Sequence, residues 1–247
     1  MFESLRISQI GLQAQKAQLD AVAQNLANAN TPGYKRIGVD FGALMAPSPA
    51  ASNEDAPRPA APWRIDLTTG ELRATGNPLD LAVSGDGFIE VAAEGQRTVL
   101  WRGGRLQVLP DGTLATDSGH ALRADIRVPE GARELAVLPD GTVVARLPGA
   151  EALSEIGRIE LASITDPSAL EYLGDGLFAV ASDSRLLRGR PGELGLGHVI
   201  AGKLESANVK LVDETVNMML AQRIYELNAK VAQAADEIMA LTNGLRK

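Results

Sequence analysis

An α+β fold is expected, with long N- and C-terminal helices pairing as an antiparallel coiled coil and a central, mainly-β domain of barrel or sandwich type. Three observations predict it. Each end of the chain carries an apolar rhythm at heptad-like spacing, and the middle is built of short alternating runs. Gly- and Asp-rich turn signals separate those runs.

The first end, through about residue 30, repeats Leu5, Leu12, Leu19 and Leu26 at intervals of seven, with Val22 and Ala29 in companion positions. Ser8 and Gln15 fill the other companion positions, so this seam is wetter than a true leucine zipper. Gln9, Gln13, Gln18 and Gln24 make the remaining surface neutral and hydrophilic, suited either to solvent or to lining a passage. Pro32 and Gly33 end the helix, because proline excludes the α conformation at Thr31 and glycine accepts positive φ. A short extended piece through Val39 and Phe41 follows.

Residues 46–62 are rich in Pro, Ala and small polar side chains, which marks a linker with no core of its own. From Trp63 to about Gly202 the pattern is strand and turn. Leu106–Thr113 and Leu135–Thr142 nearly repeat one another around Pro-Asp-Gly, and Gly85-Asp86-Gly87-Phe88 is echoed by Gly174-Asp175-Gly176-Leu177-Phe178. The last end, from Asn208, places Leu220, Ile224, Leu227, Val231, Ala234, Ile238, Leu241 and Leu245 at alternating spacings of four and three. Asn208 is the expected N-cap, Asn243-Gly244 the stop, and Arg246 and Lys247 suit the negative end of the dipole. The expected organisation is therefore 1–36 and 203–247 helical, 37–62 linker, and 63–202 β. The plainer alternative is a helical hairpin closing off a β domain.

Composition narrows the function. The 247 residues carry a net charge of −7, and residues 37–208 hold 15 basic against 24 acidic side chains, which argues against nucleic acid as partner. Apolar content is 45% but aromatic content only 4%, so the core should be aliphatic. Cysteine is absent, excluding disulfides and thiolate metal sites. No stretch reads as a cleavable signal or a membrane span, so no membrane insertion is expected.

Chemistry is sparse. His120 and His198 stand alone, the Gly-Asp-Gly pairs read as turns, and Ser84 lacks the Gly-x-Ser-x-Gly elbow. Glu71, Asp80 and Asp86 are the carboxylates from which a cell-wall hydrolase pair would be drawn, a reading weaker than that of a non-enzyme without cofactor or metal.

Three segments carry a family resemblance. Residues 22–36, with Asn25, Asn28, Thr31, Gly33 and Tyr34, resemble the N-terminal signature of the bacterial flagellar rod and hook proteins. Gly76-Asn77-Pro78-Leu79-Asp80 through Gly85-Asp86-Gly87-Phe88 is similar to that family's central motif. Leu204 to Asn208, continuing to Gln222-Arg223-Ile224-Tyr225-Glu226-Leu227-Asn228, is similar to its C-terminal signature. The Gln-Arg-x-Tyr-Glu run looks most like the distal rod members, while the short Pro/Ala-rich stretch 42–62 departs from them and leaves the proximal rod paralogue as the alternative.

The resemblance implies a structural subunit of a hollow helical tube in the periplasm, with helices inside and β domain outside. It implies a path through the flagellar type III export apparatus without signal cleavage. The implied partners are other copies of the chain, other rod proteins, the hook protein and the surrounding ring proteins. A secreted adhesin is the remaining alternative.

Overall fold

A computed structural model describes residues 2–40, 63–92, 98–180 and 186–244. The expected linker beyond Asp40, together with Leu245, Arg246 and Lys247, lies outside the described residues. The chain divides into two compact units: Met1–Ala27, Ile37–Arg64 and Lys210–Lys247 form one, and Asn28–Arg36 with Ile65–Val209 form the other.

The first unit is helical. Helix α1 spans Phe2–Ala27 and helix α2 spans Leu211–Gly244, 34 residues or about 50 Å. Ala, Gln and Leu dominate the first and Ala and Leu the second, and neither contains proline, so little opposes the α conformation. Asp213 and Glu214 in the first turn of α2 favour its positive end.

The two helices pack on one another through small side chains. Ala14, Ala21 and Val22 of α1 and Ala221 of α2 are buried, and the absence of bulk lets the helix backbones approach closely. A polar contact closes the end of this seam. Asn25 Nδ2 donates to Glu214 Oε2 at 3.3 Å and to the Ile37 carbonyl at 2.8 Å, while Asn25 Oδ1 accepts from Ile37 N at 2.8 Å. Both side chains are buried.

The leucine stripes fare differently. Leu12, Leu19 and Leu26 are half-buried, whereas Leu220, Ile224, Leu227 and Val231 are 56, 42, 60 and 61% exposed. On α2 the buried Ala221 stands one residue, about 100° of helix rotation, from the stripe at Leu220.

Asn208 does not cap α2. The helix begins at Leu211, and Glu214 N makes its first bond to the Lys210 carbonyl at 3.0 Å. The Asn208 side chain is committed elsewhere, as described below. Helix α2 is described as far as Gly244, the second residue of the expected Asn243-Gly244 stop, and the residues after it lie outside the described ones.

The second unit is antiparallel β. Its largest sheet has six strands in the order Leu170–Gly174, Leu177–Val180, Thr98–Trp101, Phe88–Ala92, Leu161–Ile164 and Leu186–Gly189. A four-stranded sheet runs His198–Ala201, Asp80–Ser84, Gly103–Val108, Leu114–Thr116, and a three-stranded one Leu153–Arg158, Thr142–Arg146, Arg133–Val137. Lys203–Glu205 pairs with Leu72–Ala74. Among the described residues no sheet closes on itself, so the barrel part of the expectation is not met. The core is aliphatic around one tryptophan: Leu81, Val83, Ile89, Val91, Leu106, Leu114 and Val143 surround Trp101 in one buried cluster.

The two Pro-Asp-Gly hairpins are built alike. Asp111 accepts from Thr113 N and Oγ1 at 3.0 and 2.9 Å, and Asp140 accepts from Thr142 N and Oγ1 at the same distances. These bonds hold both carboxyls below the usual carboxylate range. In each hairpin the turn glycine's carbonyl then accepts from a residue later in the chain, Val128 N to Gly112 O and Ile159 N to Gly141 O, both at 2.8 Å.

Leu81 is fully buried in this core, so Leu81→Ala should destabilise the β unit by about 2–5 kcal/mol. Leu138→Ala, at a position 43% exposed, should change it by no more than about 0.5 kcal/mol. Urea denaturation followed by tryptophan fluorescence checks both, and equal losses would contradict the assigned core.

Candidate functional site

After α1 the chain turns sharply. Thr31 N donates to the Asn28 carbonyl at 3.0 Å and Tyr34 N to the Thr31 carbonyl at 3.3 Å. Gly33 takes φ +71°, and its N–H reaches the Glu205 carbonyl at 2.8 Å. A Cβ at Gly33 would stand 3.2 Å from both Arg102 Cβ and the Gly103 carbonyl. The turn aims Tyr34 and Lys35 into the β unit, where both are fully buried.

Lys35 meets Glu205 there. Its Nζ donates to Glu205 Oε1 at 2.6 Å, to the Thr68 carbonyl at 2.7 Å and to the Leu67 carbonyl at 3.5 Å, which uses the three ammonium protons. Glu205 Oε1 also accepts from Gly70 N at 2.8 Å, and its Oε2 accepts from Arg102 Nε at 2.8 Å. Arg102 spends its remaining donors on main-chain carbonyls: Nη1 on Gly87, and Nη2 on Gly85 at 2.6 Å and Val83 at 3.3 Å. Its guanidinium lies 5.6 Å from the Phe88 ring centre, a cation–π distance.

All three side chains are nearly inaccessible, with 0, 3 and 1% exposure for Lys35, Arg102 and Glu205. Two cations thus share one carboxylate, and the carbonyl dipoles around them offset the excess charge. Burial lowers the Lys35 pKa from its usual 10.5, and the like charge of Arg102 adds to this against the pull of Glu205.

An aromatic chain runs beside the cluster. Tyr34 meets Tyr172 edge-on at 4.9 Å, Tyr172 meets Phe178 at 5.4 Å, and Phe178 meets Phe88 at 5.6 Å. Asn28 Oδ1 accepts from the Tyr172 hydroxyl at 3.3 Å. Four of the nine aromatics of this sequence therefore form one run beside Arg102 and the turn.

Asn208 makes a second clasp. Its Oδ1 accepts from Arg36 N at 2.7 Å, and its Nδ2 donates to the Asp66 and Thr68 carbonyls at 2.9 and 3.0 Å. Asn77 and Asp80 form a third, local contact: Asn77 Nδ2 donates to Asp80 Oδ1 at 2.9 Å, and Arg105 Nε reaches the same oxygen at 3.2 Å. Gly76, at φ +73°, donates to the Gly202 carbonyl at 3.4 Å.

The structure brings Asn28, Thr31, Gly33, Tyr34, Gly85, Gly87, Phe88 and Asn208 together in the β unit. Gln222, Arg223 and Tyr225 are exposed on α2, and Asn228 is half-buried. The side chains of Leu5, Ile238 and Leu241 lie outside the described residues. Of the three hydrolase candidates, Asp80 is buried and bonded, while Glu71 and Asp86 are exposed.

The charged trio itself escaped sequence reasoning, although Lys35 and Glu205 sit inside the quoted motifs. The available signal was position. Lys35 follows Tyr34 in a tight turn, Arg102 lies between Trp101 and two glycines, and Glu205 ends a strand. Each is a charge where the local pattern expects burial.

Three family models match the chain: the flagella basal body rod protein over residues 5–35, the FlgE/F/G D1 domain of the flagellar hook protein over 82–145, and the flagellar basal body rod FlgEFG protein C-terminal region over 200–245. The chain is 31% identical over 256 residues to the flagellar basal-body rod protein FlgG of Agrobacterium fabrum, covering 97% of this chain and 98% of the relative. It is 32% identical over 249 residues to FlgF of Escherichia coli, covering 96 and 95%.

The chain belongs to the flagellar basal-body rod proteins. Each family segment contributes one member of the buried trio: Lys35 from the first, Arg102 from the second and Glu205 from the third. As a member of this rod family the chain is a structural, self-assembling subunit and not an enzyme. Among the described residues no three His, Cys, Asp or Glu side chains are grouped to hold a metal.

Glu205→Gln should cost about 3–5 kcal/mol, because it leaves two buried cations without a counter-charge. Equilibrium unfolding measures it, and a loss under 1 kcal/mol would contradict the role assigned to Glu205. Lys35 also sets a pH dependence. Its folded pKa lies below its unfolded one, so in the alkaline range below 10.5 the unfolded chain binds more protons and stability rises with pH. Lys35→Met should abolish that rise in urea melts taken across this range. Gly33→Val should cost at least about 1–2 kcal/mol for the left-handed backbone alone, and unperturbed melting and assembly would refute the strain.

Proposed function

We propose that this rod protein builds a hollow helical tube in the periplasm, in which the terminal helices of successive copies, pairing as an antiparallel coiled coil, line the channel. The tube carries torque from motor to hook and forms part of the passage through which later subunits are exported. Its partners are copies of itself, the other rod proteins, the hook protein, the type III export apparatus and the surrounding rings.

The observation supporting this is the outward face of α2. Leu220, Ile224, Leu227 and Val231 are exposed, and so are Val212, Val216 and Met219, at 75, 50 and 61%. Such a continuous apolar stripe is characteristic of an interaction surface. The intramolecular seam is already filled by alanines, so the leucines remain for neighbouring copies. The distal position in the rod is favoured by the run of FlgG relatives at similar identity along nearly the whole chain. The 32% identity to FlgF supports the proximal position as the second reading. Restoration of swimming in a strain lacking one or the other protein separates the two.

Leu220→Ser with Leu227→Ser should leave the monomer's melting unchanged within about 0.5 kcal/mol while preventing polymerisation. Sedimentation across a concentration series reads both states, and normal polymers from this variant would remove the stripe from the assembly. Deletion of Val209–Lys247 should likewise abolish polymers and leave the β unit folded, as judged by circular dichroism and limited proteolysis.

A further inference from the structure

All the sulfur in this chain is thioether. The sequence has five methionines and no cysteine, so two-electron oxidation of sulfur acts here on methionine alone. The side chains of Met1, Met45 and Met239 lie outside the described residues, which leaves the adjacent pair Met218 and Met219 on α2.

These neighbours stand on different sides of the helix. Met218 follows the buried Glu214 by four residues and precedes the buried Ala221 by three, so it belongs to the side packed on α1 and is half-buried. Met219 follows Val212 by seven residues and Val216 by three, which sets it in the apolar stripe beside Leu220, and it is 61% exposed.

Oxidation would change that stripe chemically while leaving its shape nearly intact. The sulfoxide replaces a flexible apolar thioether with a dipolar acceptor. On the free subunit the new oxygen stays hydrated at little cost. In an apolar contact it loses its water, and Val212, Val216 and Leu220 carry no side-chain donor to replace it. Arg223, one turn further on, is the nearest donor on the same helix, and a bond to it would still hold a polar oxygen within the apolar face.

We propose that Met219 is an oxidation-sensitive control on assembly: as the sulfoxide it keeps the subunit out of the polymer, and reduction readmits it. The oxidant is a peroxide. The sulfur takes one oxygen, the O–O bond breaks, and the other oxygen leaves as water or alcohol. The return step uses a dithiol, which is oxidised to a disulfide while the sulfoxide oxygen leaves as water. This inference rests on the self-assembly reading and adds to it a covalent regulation of the same stripe.

The test uses the full-length chain. Dilute hydrogen peroxide on the free subunit, followed by peptide mass spectrometry, should place oxygen on Met219 ahead of Met218. The treated protein should need about tenfold more concentration to polymerise. Methionine sulfoxide reductases acting on both epimers should restore the parental value. With each variant's own untreated sample as reference, Met219→Leu should show no shift on treatment and Met218→Leu should keep it. Oxidation of Met218 first, an unshifted parent with Met219 fully oxidised, a shift that survives reduction of Met219, or an equal shift in Met219→Leu would overturn the control. If the untreated parent forms no polymers at any concentration, the self-assembly reading fails first and takes this control with it.

Discussion

One carboxylate holds the β unit together. Glu205 accepts from a lysine just after the first helix and from an arginine in the middle of the chain, and Arg102 in turn grips the backbone of the Gly85–Gly87 turn. Removing three charges from water is costly, and a buried ion cluster does not by itself signal high stability. What it supplies is uniqueness. With Lys35, Arg102 and Glu205 each satisfied by specific partners, displacing any one segment strands a charge in the interior. The turn at Gly33, the glycines beside Arg102 and the Asn208 clasp all serve to bring backbone close enough for those bonds to form.

The helical unit is organised on the opposite principle. The described part of its internal seam buries Ala14, Ala21, Val22 and Ala221 beside the Asn25–Glu214 contact, and alanine burial supplies little free energy. Among the described side chains of α2, Leu220, Ile224, Leu227 and Val231 are exposed. The β unit is thus stabilised from within, whereas the described part of α2 leaves a row of apolar side chains exposed.

The sequence was most legible where periodicity and burial coincide. The two long helices, the alternating strands and both Pro-Asp-Gly hairpins followed from spacing and turn chemistry, and an aliphatic core followed from the scarcity of aromatics. Asn208 was misread because a capping residue and a cross-linking residue look alike in one dimension. Its amide meets Arg36, Asp66 and Thr68, none of them near it in sequence. The leucine stripe of α2 had a clear period, but a period does not name the partner, and Ala221, one residue from the stripe, is buried while Leu220 is exposed. The Lys35–Arg102–Glu205 cluster was invisible for a related reason. Its members are ordinary charged residues until the fold removes them from water, and only proximity in space makes them a group.

The distance along the chain between the members of that cluster has a kinetic meaning. Lys35 and Glu205 are 170 residues apart, while each Pro-Asp-Gly turn is closed by contacts between near neighbours in sequence. The hairpins can form as soon as their own residues are available, on the microsecond scale typical of such elements. The ionic clasp must wait for the ends of the β unit to meet, and a chain made from its N-terminus lacks Glu205 until most of its 247 residues exist. Until then the N-terminal turn lacks its contacts with Glu205. The order in which these contacts become available is therefore the local turns first and the ionic clasp last.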